Sequence, residues 1–176
     1  MKLTTFATPD GPLTVLAEDG VVLASGWTSA AEEVMDRVRA DDRPAEVTTV
    51  APSDPDFAGI AEALQRYYGG EPGAIAAVPV RQFGTDLQLA GWAALRDIPA
   101  GAPLTYAEFA AALGRPTAVR AAARICARNA AALFVPCHRV VRSDGSLGGF
   151  AWGLDVKRSL LAHEARQMDP STGSGN

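Results

Sequence analysis

Three short segments with alternating apolar residues, Leu3–Ala7, Leu13–Ala17 and Val21–Trp27, occupy the start of the chain, separated by Asp10-Gly11-Pro12 and Asp19-Gly20. Alternation with period two marks strands, and Asp-Gly between two such runs favours a tight hairpin. The chain therefore has to begin as a small antiparallel sheet. The period then lengthens towards that of a helix around Ala30–Arg39 and again over Phe57–Tyr68, which Gly69-Gly70 closes. A loop rich in Asp, Pro and Thr lies between them, from Asp41 to Asp56. Helices joined to an antiparallel sheet predict an α+β fold, with a first domain over residues 1–80.

The second half reads as helical. Thr85 is placed to cap a helix carrying Leu89, Trp92 and Leu95, and Thr105-Tyr106-Ala107-Glu108 has the spacing of a capping box. Gly114-Arg115-Pro116 predicts a turn with Pro at the first position of the following helix, which runs through Arg128. Two short helices across a glycine turn predict a helix-turn-helix within a second domain, residues 81–167, and the polar stretch 168–176 reads as a flexible tail. On the second helix, Ala118, Ala121, Ala122, Ala123 and Ala127 leave the backbone nearly bare, while Arg120, Arg124 and Arg128 recur every four residues. Bare backbone with an Arg stripe suits a DNA groove, and it also suits a helix packed on a neighbour.

Charge favours the first of these. The net charge of −4 argues against nucleic acid, but residues 1–90 hold 6 of the 16 basic and 14 of the 20 acidic residues, leaving 10 basic and 6 acidic in residues 91–176. A positive second half, nine of whose ten cations are Arg, is suited to phosphate. No run approaches the roughly 20 apolar residues of a membrane span, and the start does not read as a signal sequence, so a cytoplasmic protein is expected. Two cysteines and two histidines are too few for a disulfide framework or a Cys/His zinc site, so the expected chemistry uses side chains alone, with no metal or cofactor.

Phe134-Val135-Pro136-Cys137-His138-Arg139-Val140-Val141 joins a cysteine to a histidine. A thiol with pKa about 8.5 is mostly neutral at pH 7, and a base and nearby positive charge correct that. His138 can take the proton directly or through a water, and Arg139 adds charge. In an extended strand the two side chains point to opposite faces, so direct contact needs a bend, which Pro136 makes plausible. Taken alone the adjacency is a weak sign, and a buried structural cysteine is the better reading of these residues. Glu164 falls between Leu160 and Leu161 on the final helix, where a carboxylate should be paired, with His138 or with an Arg; Lys157 intrudes on the same face, so a solvated Glu164 with a Lys neighbour fits the spacing as well. Ser143–Gly149 is a turn-rich loop placed to close over a substrate.

Pro136-Cys137-His138-Arg139-Val140, preceded by Asn129 and Arg120 and followed by Gly149, Gly153-Leu154 and Leu160-Leu161-Ala162-His163-Glu164, closely resembles the O6-alkylguanine-DNA alkyltransferases. The likeness covers about residues 60–166, with Ile98–Gly101 and Thr105-Tyr106 in the expected order. It implies a ribonuclease H-like N-terminal domain and a monomer that repairs double-stranded DNA carrying O6-alkylguanine. The implied reaction is stoichiometric, irreversible transfer of the alkyl group to Cys137 after base flipping, and O4-alkylthymine stays open as a second substrate. In this resemblance Cys137 is the acceptor, His138 its water-linked base, Glu164 the orienting carboxylate and Asn129 the hinge asparagine. Tyr106 presses on the target phosphate and offers its hydroxyl to guanine N3. Arg120 is the finger filling the space of the flipped nucleotide, beside Ala121, Arg124 and Arg128 on the DNA-binding helix. Carbonyls of Cys137 and Val140 accept from the guanine amine, and Phe150, Ala151 and Trp152 line the pocket. Relatives that bind alkylated DNA without transfer carry Trp at the cysteine position. Departures are Phe150 for Tyr, Ala151 for Ser, Ala130 for the Pro after the hinge asparagine, and Ala123-Arg124 in place of a glycine-rich helix start. Trp152, facing inward, would narrow the pocket against benzyl-type lesions.

Overall fold

The computed structural model describes residues 1–168, so the tail expected over 168–176 lies, from 169 onward, outside the described residues. Strands β1 (Lys2–Thr8), β2 (Gly11–Glu18) and β3 (Val21–Trp27) form the expected antiparallel meander. Glu18 pairs with Val21, so Asp19-Gly20 is a two-residue loop, and its φ values of 51° and 78° are those of a type I′ turn. The Asp–Thr stretch read as loop adds a two-residue strand, β4 (Thr48–Thr49), parallel to β1. It was invisible because two exposed threonines carry no alternation. The sheet order is β3-β2-β1-β4.

The expected half-buried alternation is not kept: β3, at one margin of the sheet, is buried from Val22 to Trp27. Central strand β2 is buried on both faces from Leu13 to Ala17. Leu13, Val15 and Ala17 join Phe57, Ile60, Leu64 and Tyr67 around α2 (Ala58–Tyr68), while Leu16 meets Leu3, Leu23, Val34 and Val38 on the opposite face, where α1 (Ala31–Met35) lies. Buried Thr14, between them, is satisfied by donating to the Thr28 carbonyl at 2.6 Å.

The first core cluster continues without a break into the second half, through Trp92 and Leu95 of α3 (Asp86–Arg96), Phe109 of α4 (Tyr106–Ala112), Ile125 of α5 (Val119–Arg128) and Leu160 of α6 (Leu154–Met168). The expected cap at Thr85 is a full capping box with Gln88, and the expected capping box of Thr105 with Glu108 is present. Pro116 does not open α5: residues 114–118 form turns and the helix begins at Val119 without a side-chain cap. Two-residue strands β5 (Leu104–Thr105) and β6 (Val140–Val141) pair in parallel, which fixes Tyr106 beside the segment that follows Cys137.

The edge of β3 is occupied rather than open. Ser25 donates its N–H to the Ala130 carbonyl at 2.8 Å and its hydroxyl to the Ala132 carbonyl at 2.8 Å. The stretch leading to Cys137 is thereby anchored on the sheet, which also removes an unpaired strand edge. No described helix is long and apolar enough to cross a membrane.

Candidate active site

Pro136 turns the chain into a single 3-10 turn, Cys137–Arg139, wedged between a tight loop and β6. Rotation of about 120° per residue in such a turn sends the three side chains different ways. Cys137 points to a cavity of about 360 Å³, and His138 and Arg139 turn instead to α6. The cavity is lined by Tyr106, Ala123, Cys126, Ala127, Asn129 and Ala132 on one side, and by Arg37 and the Gly149–Trp152 loop on the other. Phe150, Ala151 and Trp152 thus line the same cavity as Cys137. Val140 does not line it: its side chain is fully buried and its carbonyl accepts from Lys157 Nζ at 2.7 Å.

Glu164 is fully buried and has partners on both oxygens. Its Oε1 accepts from His138 Nε2 at 2.8 Å, from Tyr67 Oη at 2.9 Å and from Arg139 Nη2 at 2.9 Å, while Oε2 accepts from Arg139 Nε at 2.9 Å. Burial raises the Glu164 carboxyl, but the hydrogen bonds and charges of His138 and Arg139 outweigh it and hold the group down at about 2. Glu164 is not the solvated neighbour of Lys157 that the spacing also allowed; it is buried and partners both His138 and an Arg. Arg139 gives its third nitrogen to the Ile98 carbonyl at 2.7 Å, so its charge is spent on Glu164 and not on the thiol. This corrects the expectation that Arg139 supplies positive charge to the cysteine.

Burial also lowers the pKa of His138, against the pull of Glu164. A neutral imidazole donating Nε2–H to an ionised Glu164 leaves Nδ1 as a lone-pair acceptor. Nδ1 is buried and has no hydrogen-bond partner among the described residues. His138 therefore does not bond the thiol directly.

What touches Cys137 Sγ is Asn129, whose Nδ2 donates to it at 3.2 Å and to the Val135 carbonyl at 2.8 Å. Asn129 Oδ1 accepts from the Ala131 N–H at 3.1 Å and from Gln82 Nε2 at 3.0 Å, and Gln82 in turn accepts from Ala130 N–H at 2.7 Å. These bonds hold a turn that includes Leu133 at φ 73°, a left-handed conformation costing a bulky residue of order 1–3 kcal/mol. Burial pushes the Cys137 thiol above its ordinary value, opposed by the Asn129 hydrogen bond and by the charges of Lys157 and Arg37. A paired, depressed cysteine is thus not what this geometry holds at rest; the thiol is protonated.

Tyr106 opens α4 and lines the cavity half-buried, with Lys157 Nζ 6.0 Å from its ring centroid. Burial moves its hydroxyl up to about 12, so it is a proton donor at neutral pH. Arg120, Arg124 and Arg128 are exposed on α5, opposite its buried residues Ala122, Ile125 and Cys126, and make no ion pair among the described residues. Ala121, in the same helix, is half-buried. Four contributors escaped the sequence reading as site residues: Tyr67, Gln82, Arg37 and Lys157. For Lys157 a signal existed, a lysine on the apolar stripe of α6; it is fully buried and ties the Val140 and Gly149 carbonyls together at 2.7 and 3.3 Å.

The chain is similar to known proteins. Residues 86–166 match the family model described as 6-O-methylguanine DNA methyltransferase, DNA binding domain. The methylated-DNA–protein-cysteine methyltransferase of Shigella flexneri is 33% identical over 160 residues, 90% of this chain and 92% of that protein. The bifunctional transcriptional activator/DNA repair enzyme Ada of Escherichia coli (strain K12) is 49% identical over 92 residues, 52% of this chain and 26% of Ada, so the chain spans about a quarter of that relative's length. The crystal structure of Mycobacterium tuberculosis OGT in complex with DNA superposes with a TM-score of 0.78 at 30% identity, covering 95% of this chain and 94% of that one. The chain is a member of the methylated-DNA–protein-cysteine methyltransferase family.

Proposed function

We propose that the protein repairs double-stranded DNA by moving an alkyl group from O6 of guanine irreversibly to Cys137. The observation that carries this reading is the placement of Cys137 Sγ at the cavity wall, held by Asn129, next to a neutral His138 locked by Glu164. Such a thiol is inert until a base takes its proton, and His138 Nδ1 is the free acceptor for it, reached through a water. The thiolate sulfur attacks the alkyl carbon, the S–C bond forms as the C–O6 bond breaks, and the electron pair passes into the purine. Tyr106 donates its hydroxyl to N3 as that charge develops, and the proton first held by the thiol ends on the departing guanine. The product thioether is stable, so each molecule acts once.

The base enters the cavity only if it leaves the duplex, at a cost of a few kcal/mol that is smaller for a mispaired lesion. The pair α4–α5 acts as a helix-turn-helix: Ala121 and Ala127 let the α5 backbone approach the groove, Arg120 fills the space of the flipped base, and Arg124 and Arg128 meet phosphates. The absence of ion pairs on these arginines among the described residues supports this, because an unpaired Arg stripe is free for phosphate. The OGT relative is itself described in complex with DNA. The test is Cys137→Ser, which abolishes transfer and keeps duplex binding, beside Cys126→Ala, which keeps both. Transfer by Cys137→Ser at the wild-type rate overturns the assignment.

A further inference from the structure

The loop that forms the outer wall of the cavity is tied to its own half at Gly149, through Lys157, but at Trp152 it is seated on the end of β3. Trp152 lies directly on Gly26: a Cβ built on that glycine would stand 1.9 Å from Cζ2, 2.1 Å from Cε2 and 2.4 Å from Cη2 of the indole. All three nearest atoms belong to this one side chain. Gly26 has no positive φ, so its backbone does not require glycine; the indole does. The next residue repeats the contact, since the Trp27 and Phe150 rings lie with centroids 6.1 Å apart.

Arg37 completes the arrangement. Its guanidinium lies over the Trp152 ring, 5.9 Å from the centroid, and Nη2 donates to the carbonyls of Ala127 at 2.7 Å and Asn129 at 3.1 Å. A cation held by two carbonyls at the end of α5 is a fixed object, and its attraction to an aromatic face keeps the indole where Gly26 receives it. Trp152 and Arg37 both line the cavity that holds Cys137.

We infer that Gly26 and Arg37, from the N-terminal half, are specificity-determining residues: they seat Trp152 and thereby set the width of the cavity and the size of alkyl group it takes. The inference rests on the alkyl-transfer reading above and adds to it a role for residues that lie outside the matched DNA-binding segment, 86–166. A methyl group at residue 26 occupies the volume of the indole, which has to move off β3 into the open cavity beside it; a bulky alkyl group then loses more room than a methyl group.

The experiment is a double-mutant cycle on Gly26→Ala, Trp152→Gly and the pair. The quantity measured is the ratio of single-turnover rates on duplexes carrying O6-benzylguanine and O6-methylguanine, with thermal melts alongside. Expected are a ratio that falls about fivefold or more in Gly26→Ala, a lowered melting temperature, and recovery of both when Trp152→Gly is added, a coupling of the size seen between residues in contact. A folded Gly26→Ala protein with an unchanged ratio, or a change that is the same whether or not Trp152 is present, overturns the inference. If Gly26→Ala does not fold, Arg37→Met carries the test: its ratio shifts with Trp152 present and not in Trp152→Gly, and no shift in either overturns it. Failure of the wild-type protein to transfer methyl at all counts instead against the proposed function.

Discussion

Glu164 holds His138 at 2.8 Å and neither side chain reaches solvent. The same carboxylate also accepts from Nε and Nη2 of Arg139, so one group at once sets the tautomer of the imidazole and neutralises the arginine buried beside it.

Replacing Glu164 with Gln therefore separates two effects. The variant leaves a buried guanidinium without its anion, a loss of about 3–5 kcal/mol in stability. Tyr67→Phe removes one hydrogen bond to the same charged group and costs about 1.5–3 kcal/mol. Chemical denaturation measures both. The order Glu164→Gln well above Tyr67→Phe is expected, and equal losses would mean that the Arg139 pair contributes little.

Acid should unfold the protein through the same cluster. Glu164 is held at about 2, below its ordinary 4.5, so its contribution to stability is complete above 4.5 and is lost as pH falls through about 2. His138, lowered by burial, adds to this, because below its ordinary 6.5 the unfolded chain takes up a proton that the folded one resists. Stability falling as pH drops below about 6.5, and falling faster below 4.5, is expected from denaturation at stepped pH. A flat profile from about pH 6.5 to 4.5 contradicts the His138 assignment, and a flat one from about 4.5 to 2 contradicts that of Glu164.

Much of this site was legible in the residues before any fold was known. The expected pairing of Glu164 with His138 is present at 2.8 Å, and the hairpin of Asp19-Gly20 follows from turn chemistry alone. The rest depends on distances the chain does not encode locally. Tyr67 meets Glu164 across 97 residues and Gln82 meets Asn129 across 47, and neither has a pattern around it that marks it as polar core. Arg139 looked like an activator of its neighbour but is turned away by a 3-10 turn that Pro136 only hinted at. The raised thiol is likewise a consequence of burial, which adjacency to a histidine does not report.

Reactivity against pH tests that last point. With Cys137 raised by burial, single-turnover transfer should increase with pH through the neutral range, since the thiolate fraction grows about tenfold per unit below the pKa. Asn129→Ala removes the donor on Sγ and Lys157→Met removes a cation acting on it, so each should move the profile to higher pH and slow transfer at neutral pH. Rates independent of pH in the wild type would show that proton removal from the thiol does not limit the reaction.

For the groove, Arg120→Ala should slow repair of duplex DNA far more than reaction with a free alkylated base, because the finger acts on extrusion. Duplex affinity should fall steeply with salt, and losing Arg124 or Arg128 should lower that slope by about one. Equal losses on duplex and free base, or no salt dependence, contradict the assignment of α5 to DNA.

The most direct measurement is the mass of the intact protein after incubation with excess duplex containing O6-methylguanine, followed by peptide mapping. One methyl group per protein, located on Cys137 and never exceeding one however long the incubation, is the predicted result. No gain in mass, a methyl group on Cys126 with Cys137 unchanged, or demethylation of more lesions than there are protein molecules would contradict the account.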